Sequence, residues 1–179
     1  MKTLTLLRHA KSGDDGLVAR DFDRRLNAKG RRAAAAIGLY CREQGLGFDA
    51  VIASPAARVQ ETLEEVADAF GTALQPRFDR RLYLASVDDL LDVVQGAPAG
   101  IERLLVAGHN PGLERLVLAL VPESPDGPRG AVEEKYPTAS LAEIAFNVGA
   151  WPDVAPGGGH LARFVRPRDL DPTLGPDEG

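Results

Sequence analysis

Apolar residues gather in short runs that alternate with longer stretches of helical spacing. Two of the runs end in a histidine: Thr3-Leu4-Thr5-Leu6-Leu7-Arg8-His9 and Arg103-Leu104-Leu105-Val106-Ala107-Gly108-His109. A third, Ala50-Val51-Ile52-Ala53, ends at Ser54-Pro55. Runs this short and this continuously apolar suit buried parallel strands. Between them, residues 28–45 carry Ala33, Ala36, Ile37 and Tyr40 at i, i+3, i+4 and i+7, with Gly45 as the stop. Residues 55–70 place Val59, Leu63, Val66 and Phe70 on one face. Two further helices are expected, at 86–95 (Leu90, Leu91, Val94) and at 111–120 (Leu113, Leu116, Val117, Leu120).

Strands alternating with helices indicate an α/β domain of three layers, a mostly parallel sheet with helices on both faces. The last third breaks that rhythm. Residues 140–146 and 160–165 read as a hairpin that adds at least one antiparallel strand. Residues 122–137 hold four Pro and two Gly and are expected to be an irregular loop. Residues 1–166 then form a single domain, and 167–179, rich in Pro and acids, a flexible tail.

Composition narrows the classes. The chain has 179 residues, 44% hydrophobic and 26% charged, which is globular and of one-domain size. A net charge of −5 argues against a nucleic-acid-binding surface. No apolar run approaches the roughly 18–20 residues of a membrane span, and the start lacks the pattern of a secretory signal, so a soluble cytoplasmic protein is expected. One cysteine, Cys41, makes no internal disulfide, and one Cys with three His is a poor basis for structural zinc.

In an open α/β sheet ligands bind beyond the carboxyl ends of the strands. Those ends here deliver Arg8-His9, Ser54-Pro55-x-x-Arg58 and Gly108-His109-Asn110-Pro111-Gly112. The last two are also helix starts, with Ser54 or Asn110 as cap and Pro next, and a helix start exposes N–H groups suited to phosphate. Each element alone has an ordinary structural reading. Together, two arginines and two of three histidines at neighbouring strand ends describe an oxyanion site.

The stretch Leu6 to Ser12 (LLRHAKS) resembles the Arg-His motif of the histidine phosphatase superfamily. Asp21, Asp23, Arg24, Leu26 and Gly30, then Ser54 to Thr62 (SPAARVQET) and Val106 to Glu114 (VAGHNPGLE), appear in that family's order and spacing. The similarity is greatest to the small SixA-type phosphohistidine phosphatases and covers about residues 1–166. It implies a phosphoglycerate-mutase-like fold and metal-independent phosphoryl transfer without a cofactor. It also implies that His9 is the nucleophile and that Arg8, Arg58 and His109 bind phosphate. The implied partner is a phosphorylated protein, such as a histidine phosphotransfer domain, or else a small phosphorylated molecule.

Larger members of the superfamily carry a carboxylate near mid-chain that protonates the leaving group. Here residues 82–87 contain no acid, and Asp88 and Asp89 are expected to cap a helix. That disfavours alkyl phosphates as substrates. The competing readings are a small-molecule phosphomonoesterase of the same superfamily and a non-catalytic phosphate-binding module. A dehydrogenase is disfavoured because Gly108-x-x-x-Gly112 lacks the dinucleotide fingerprint.

Overall fold

A computed structural model describes residues 1–13, 20–124 and 127–175. The elements run β1 (Lys2–Arg8), α1 (Ala28–Glu43), β2 (Ala50–Ala53), α2 (Ala57–Phe70), β3 (Pro76–Phe78), α3 (Val87–Gln95), β4 (Arg103–Gly108) and α4 (Gly112–Leu120). They continue with α5 (Arg129–Glu134), β5 (Leu141–Phe146), β6 (Gly159–Val165) and α6 (Pro167–Leu170). The six strands form one sheet in the order β3-β2-β4-β1-β5-β6. The first four strands of that order are parallel, and β5 and β6 run antiparallel to their neighbours.

Alternate residues of each strand serve opposite faces, so the sheet has two cores. On one face Leu4, Leu6, Leu104 and Val106 meet Leu90 and Val94 of α3 and Leu113, Leu116 and Val117 of α4. On the other, Leu7, Val51, Leu105 and Leu141 meet Ala33, Ala34 and Ile37 of α1 and Val59, Leu63 and Val66 of α2. The three-layer α/β expectation therefore holds. Among the described residues no helix is long and apolar enough to cross a membrane.

The register brings three strand ends together. β2, β4 and β1 lie side by side and end within one residue of one another, at Ala53, Gly108 and Arg8. The ladder runs one residue further, with the His9 N–H donating to Gly108 O (3.0 Å) and the Ser54 N–H to Ala107 O (3.0 Å). Ser54, His109 and His9 thus leave the sheet in one row.

Several boundaries differ from those the sequence predicts. β3 is an addition, because three residues opening on Pro76 give no periodicity. α2 begins at Ala57 without a side-chain cap, and α4 begins at Gly112, after a cis Asn110–Pro111 bond. Inside the expected 122–137 loop, Arg129–Glu134 forms α5 and buries Val132. Within the expected tail, Pro167–Leu170 forms α6 and Pro172–Leu174 a 3-10 turn, and Leu174 is only 5% exposed in the α1–α2 core. One well-placed leucine suffices to dock it. Residues 176–179 lie outside the described residues.

Candidate active site

The segments that leave the sheet are pinned by α2. Thr62 donates to the Arg58 carbonyl (2.6 Å) and accepts from the Ala10 N–H (2.9 Å), fixing the turn after His9. Glu61 accepts from the Leu26 N–H (2.9 Å) and from Arg25 and Arg31, fixing the approach to α1. A β-carbon on Gly30 would fall 2.1 Å from the Lys11 carbonyl oxygen, so only glycine lets α1 start against that turn. The motif residues Glu61, Thr62 and Gly30 are scaffold.

His9 is buried, and its Nδ1 lies 2.7 Å from the Ala10 carbonyl. A carbonyl only accepts, so Nδ1 carries the proton and Nε2 the lone pair. Burial pushes the imidazole down to about 3, reinforced by the charges of Arg8 and Arg58 and by His109, against the opposing Ala10 bond. His9 is neutral at physiological pH.

Beside it, at 5.3 Å between ring centroids, lies His109. Its Nδ1 is 3.3 Å from an Arg58 terminal nitrogen and its Nε2 2.8 Å from Ser54 Oγ. A guanidinium cannot accept, so Nδ1 holds the lone pair and Nε2 donates to Ser54. Burial first, and then the Arg58 charge, lower this imidazole to about 4. It is therefore neutral in this arrangement at physiological pH.

Arg58 is buried and donates through one terminal nitrogen to the Asp21 carbonyl (2.8 Å) and through the other to Asp21 Oδ2 (3.0 Å). Its Nε is buried without a hydrogen-bond partner among the described residues. Arg8 donates to the Tyr136 carbonyl (2.9 Å), which also accepts from Asn110 (3.0 Å). All four residues singled out from sequence, Arg8, His9, Arg58 and His109, thus meet at one end of the sheet.

Two residues there go beyond the sequence analysis. Asp21, in a 3-10 turn at Asp21–Asp23, accepts from Arg58, from Arg24 (3.0 Å) and from the Tyr83 hydroxyl (2.7 Å). The Tyr83 bond, with those from Arg24 and Arg58, holds its carboxyl down at about 2. The Tyr83 ring stands edge-on to His109 at 5.3 Å. Gly112 permits this approach, since a β-carbon there would meet the Ala85 carbonyl oxygen at 2.6 Å. The 80–89 stretch therefore delivers a phenol to the site; Asp89 is occupied capping α3 in a reciprocal box with Ser86, as expected. Asp21 is legible in the sequence only as part of the Asp21-x-Asp23-Arg24 motif. Among the described residues no group of three His, Cys, Asp or Glu is placed to hold a metal ion.

Residues 4–83 match the histidine phosphatase superfamily (branch 1). The uncharacterized protein Rv1276c of Mycobacterium tuberculosis is 33% identical over 165 residues, covering 90% of this chain and all of the relative. The SixA structure from Nakamurella multipartitia, which carries the name of a phosphohistidine phosphatase, is 31% identical, with a TM-score of 0.80 over 93% of this chain and 96% of that one. The protein histidine phosphatase SixA complexed with tungstate shares the fold, with a TM-score of 0.77 and 23% identity over 94% and 99% of the two chains. The family match over residues 4–83 and a 31% identical SixA structure of the same fold make this chain a member of the histidine phosphatase superfamily, in its SixA-type branch.

Proposed function

We propose that the protein is a metal-independent phosphatase that removes phosphate from a phosphohistidine on another protein, through a covalent intermediate on His9. The observation that carries the reading is the state of His9: neutral by burial, with its tautomer fixed by the Ala10 carbonyl, so that Nε2 is a competent nucleophile. His9 Nε2 attacks phosphorus and forms a new N–P bond. The substrate P–N bond breaks, and its electron pair returns to the substrate imidazole. That ring, already protonated on its far nitrogen, leaves neutral. Water then attacks the phosphorylated His9 and releases inorganic phosphate.

Arg8 and Arg58 supply fixed donors for the charge on the transferring oxygens. His109 takes part differently. Burial and the Arg58 charge keep it neutral; a phosphate dianion counters the second, and once Arg58 turns its N–H from His109 to the phosphate, Nδ1 is free to take a proton and donate as an imidazolium. Rapid quenching during turnover should trap phosphate on His9 as an acid-labile, alkali-stable adduct. Label on Ser54, or a His9→Ala variant with undiminished turnover, would refute the assignment.

A further inference from the structure

A second cationic feature lies next to this centre and takes no part in the chemistry above. It is a cavity of about 20 Å³ between the start of α1, the turn after His9 and the α6 segment. Four cations line it: Lys11, Lys29, Arg166 and Arg168. Its floor is apolar, with Ala33 and Leu174 both buried. Two backbone links tie it to the reaction centre. Lys11 comes two residues after His9, and Thr138, also in its wall, precedes Ala139, whose N–H holds the His9 carbonyl (2.9 Å).

The charges are unequally committed. Arg166 bonds to Asp169, and Lys11 has an interaction of its own. Lys29 and Arg168 make no hydrogen bond or ion pair among the described residues. Lys29 also sits in the first turn of α1, after the Asn27 cap, where a cation opposes the helix dipole. Helix stability does not explain it. In a chain of net charge −5, four cations around one cavity form a local attraction for an anion. The cavity holds little more than one water-sized group, which excludes a nucleotide or a cofactor. A cationic rim around so small a space suits the carboxylate tip of an acidic side chain, held at the open mouth between Lys29 and Arg168 while the rest of that side chain stays outside.

We propose that this cavity is a specificity subsite that takes an aspartate or glutamate of the protein substrate, near the phosphorylated histidine. The proposal rests on the phosphohistidine-protein reading above. The test compares kcat/KM for phosphohistidine peptides with acidic, neutral or basic flanking residues, beside p-nitrophenyl phosphate. Wild type should show a KM about tenfold lower for acidic than for neutral flanks, the scale of two half-exposed ion pairs. That preference should shrink in high salt. Lys29→Ala/Arg168→Ala should abolish it while leaving kcat and p-nitrophenyl phosphate hydrolysis unchanged, and Lys29→Glu/Arg168→Glu should transfer it to basic flanks. Equal KM for all peptides in wild type, or a preference that survives the double variant, overturns the subsite alone. Hydrolysis of p-nitrophenyl phosphate with no turnover of any peptide overturns the substrate reading and the subsite with it.

Discussion

The sharpest test of the chemistry concerns the leaving group, because the site contains a carboxylate that looks able to protonate it and is electrostatically prevented from doing so. Asp21 bonds to Arg58 beside His109, but its carboxyl is held at about 2 by Tyr83, Arg24 and Arg58. At pH 7, far above that value, the carboxyl is ionised and has no proton to give. The roughly 10²–10⁴-fold that a working general acid supplies is then missing. An alkyl phosphate must then expel an unassisted alkoxide, whereas phosphohistidine expels neutral imidazole and p-nitrophenyl phosphate a stable phenolate. The expected result is a kcat/KM for both activated substrates at least about 10²-fold above that for an alkyl phosphate in one buffer. Asp21→Asn and Tyr83→Phe disturb the support of Arg58 and should lower all three values together, leaving their ratios unchanged. The reasoning fails if Asp21→Asn depresses the alkyl ester selectively. It fails equally if the wild-type alkyl rate matches the aryl rate.

Other predictions rest on particular contacts. His9 and His109 are lowered to about 3 and about 4, so the unfolded chain binds protons before the native state does; stability should be full above about pH 6.5 and fall as pH drops toward 4, and a His9→Gln/His109→Gln variant should lose that slope in thermal melts. Gly30→Ala drives a β-carbon into the Lys11 carbonyl and should cost about 3 kcal/mol, read from denaturant midpoints, with activity lost alongside. Leu174→Ala should cost about 2 kcal/mol, and removing 171–179 should lower the melting temperature by several degrees; an unchanged melt would show that this segment does not dock.

How much of this is legible in the sequence depends on whether the determining contact is local. The strand ends are, because an apolar run that stops at Arg8-His9 or Gly108-His109 shows both where the strand finishes and what it presents. The cap on α3 is too, since Ser86 and Asp89 lie three residues apart. Asp21 and Tyr83 are not: they meet across 62 positions, and Asp21 meets Arg58 across 37, through a 3-10 turn that has no hydrophobic period to announce it. α5 is hidden for the opposite reason. Pro128 reads as a breaker, yet it stands directly before the helix, where its missing N–H costs nothing. Leu174 illustrates the limit of counting: among prolines and acids a single leucine predicts fraying, but burial depends on whether a slot exists, and α1 offers one beside Ala33. The same contact has a chemical consequence. By docking on α1, the segment carries Arg168 to the side of Lys29, so a stretch with little apolar surface completes the charged rim two residues beyond His9.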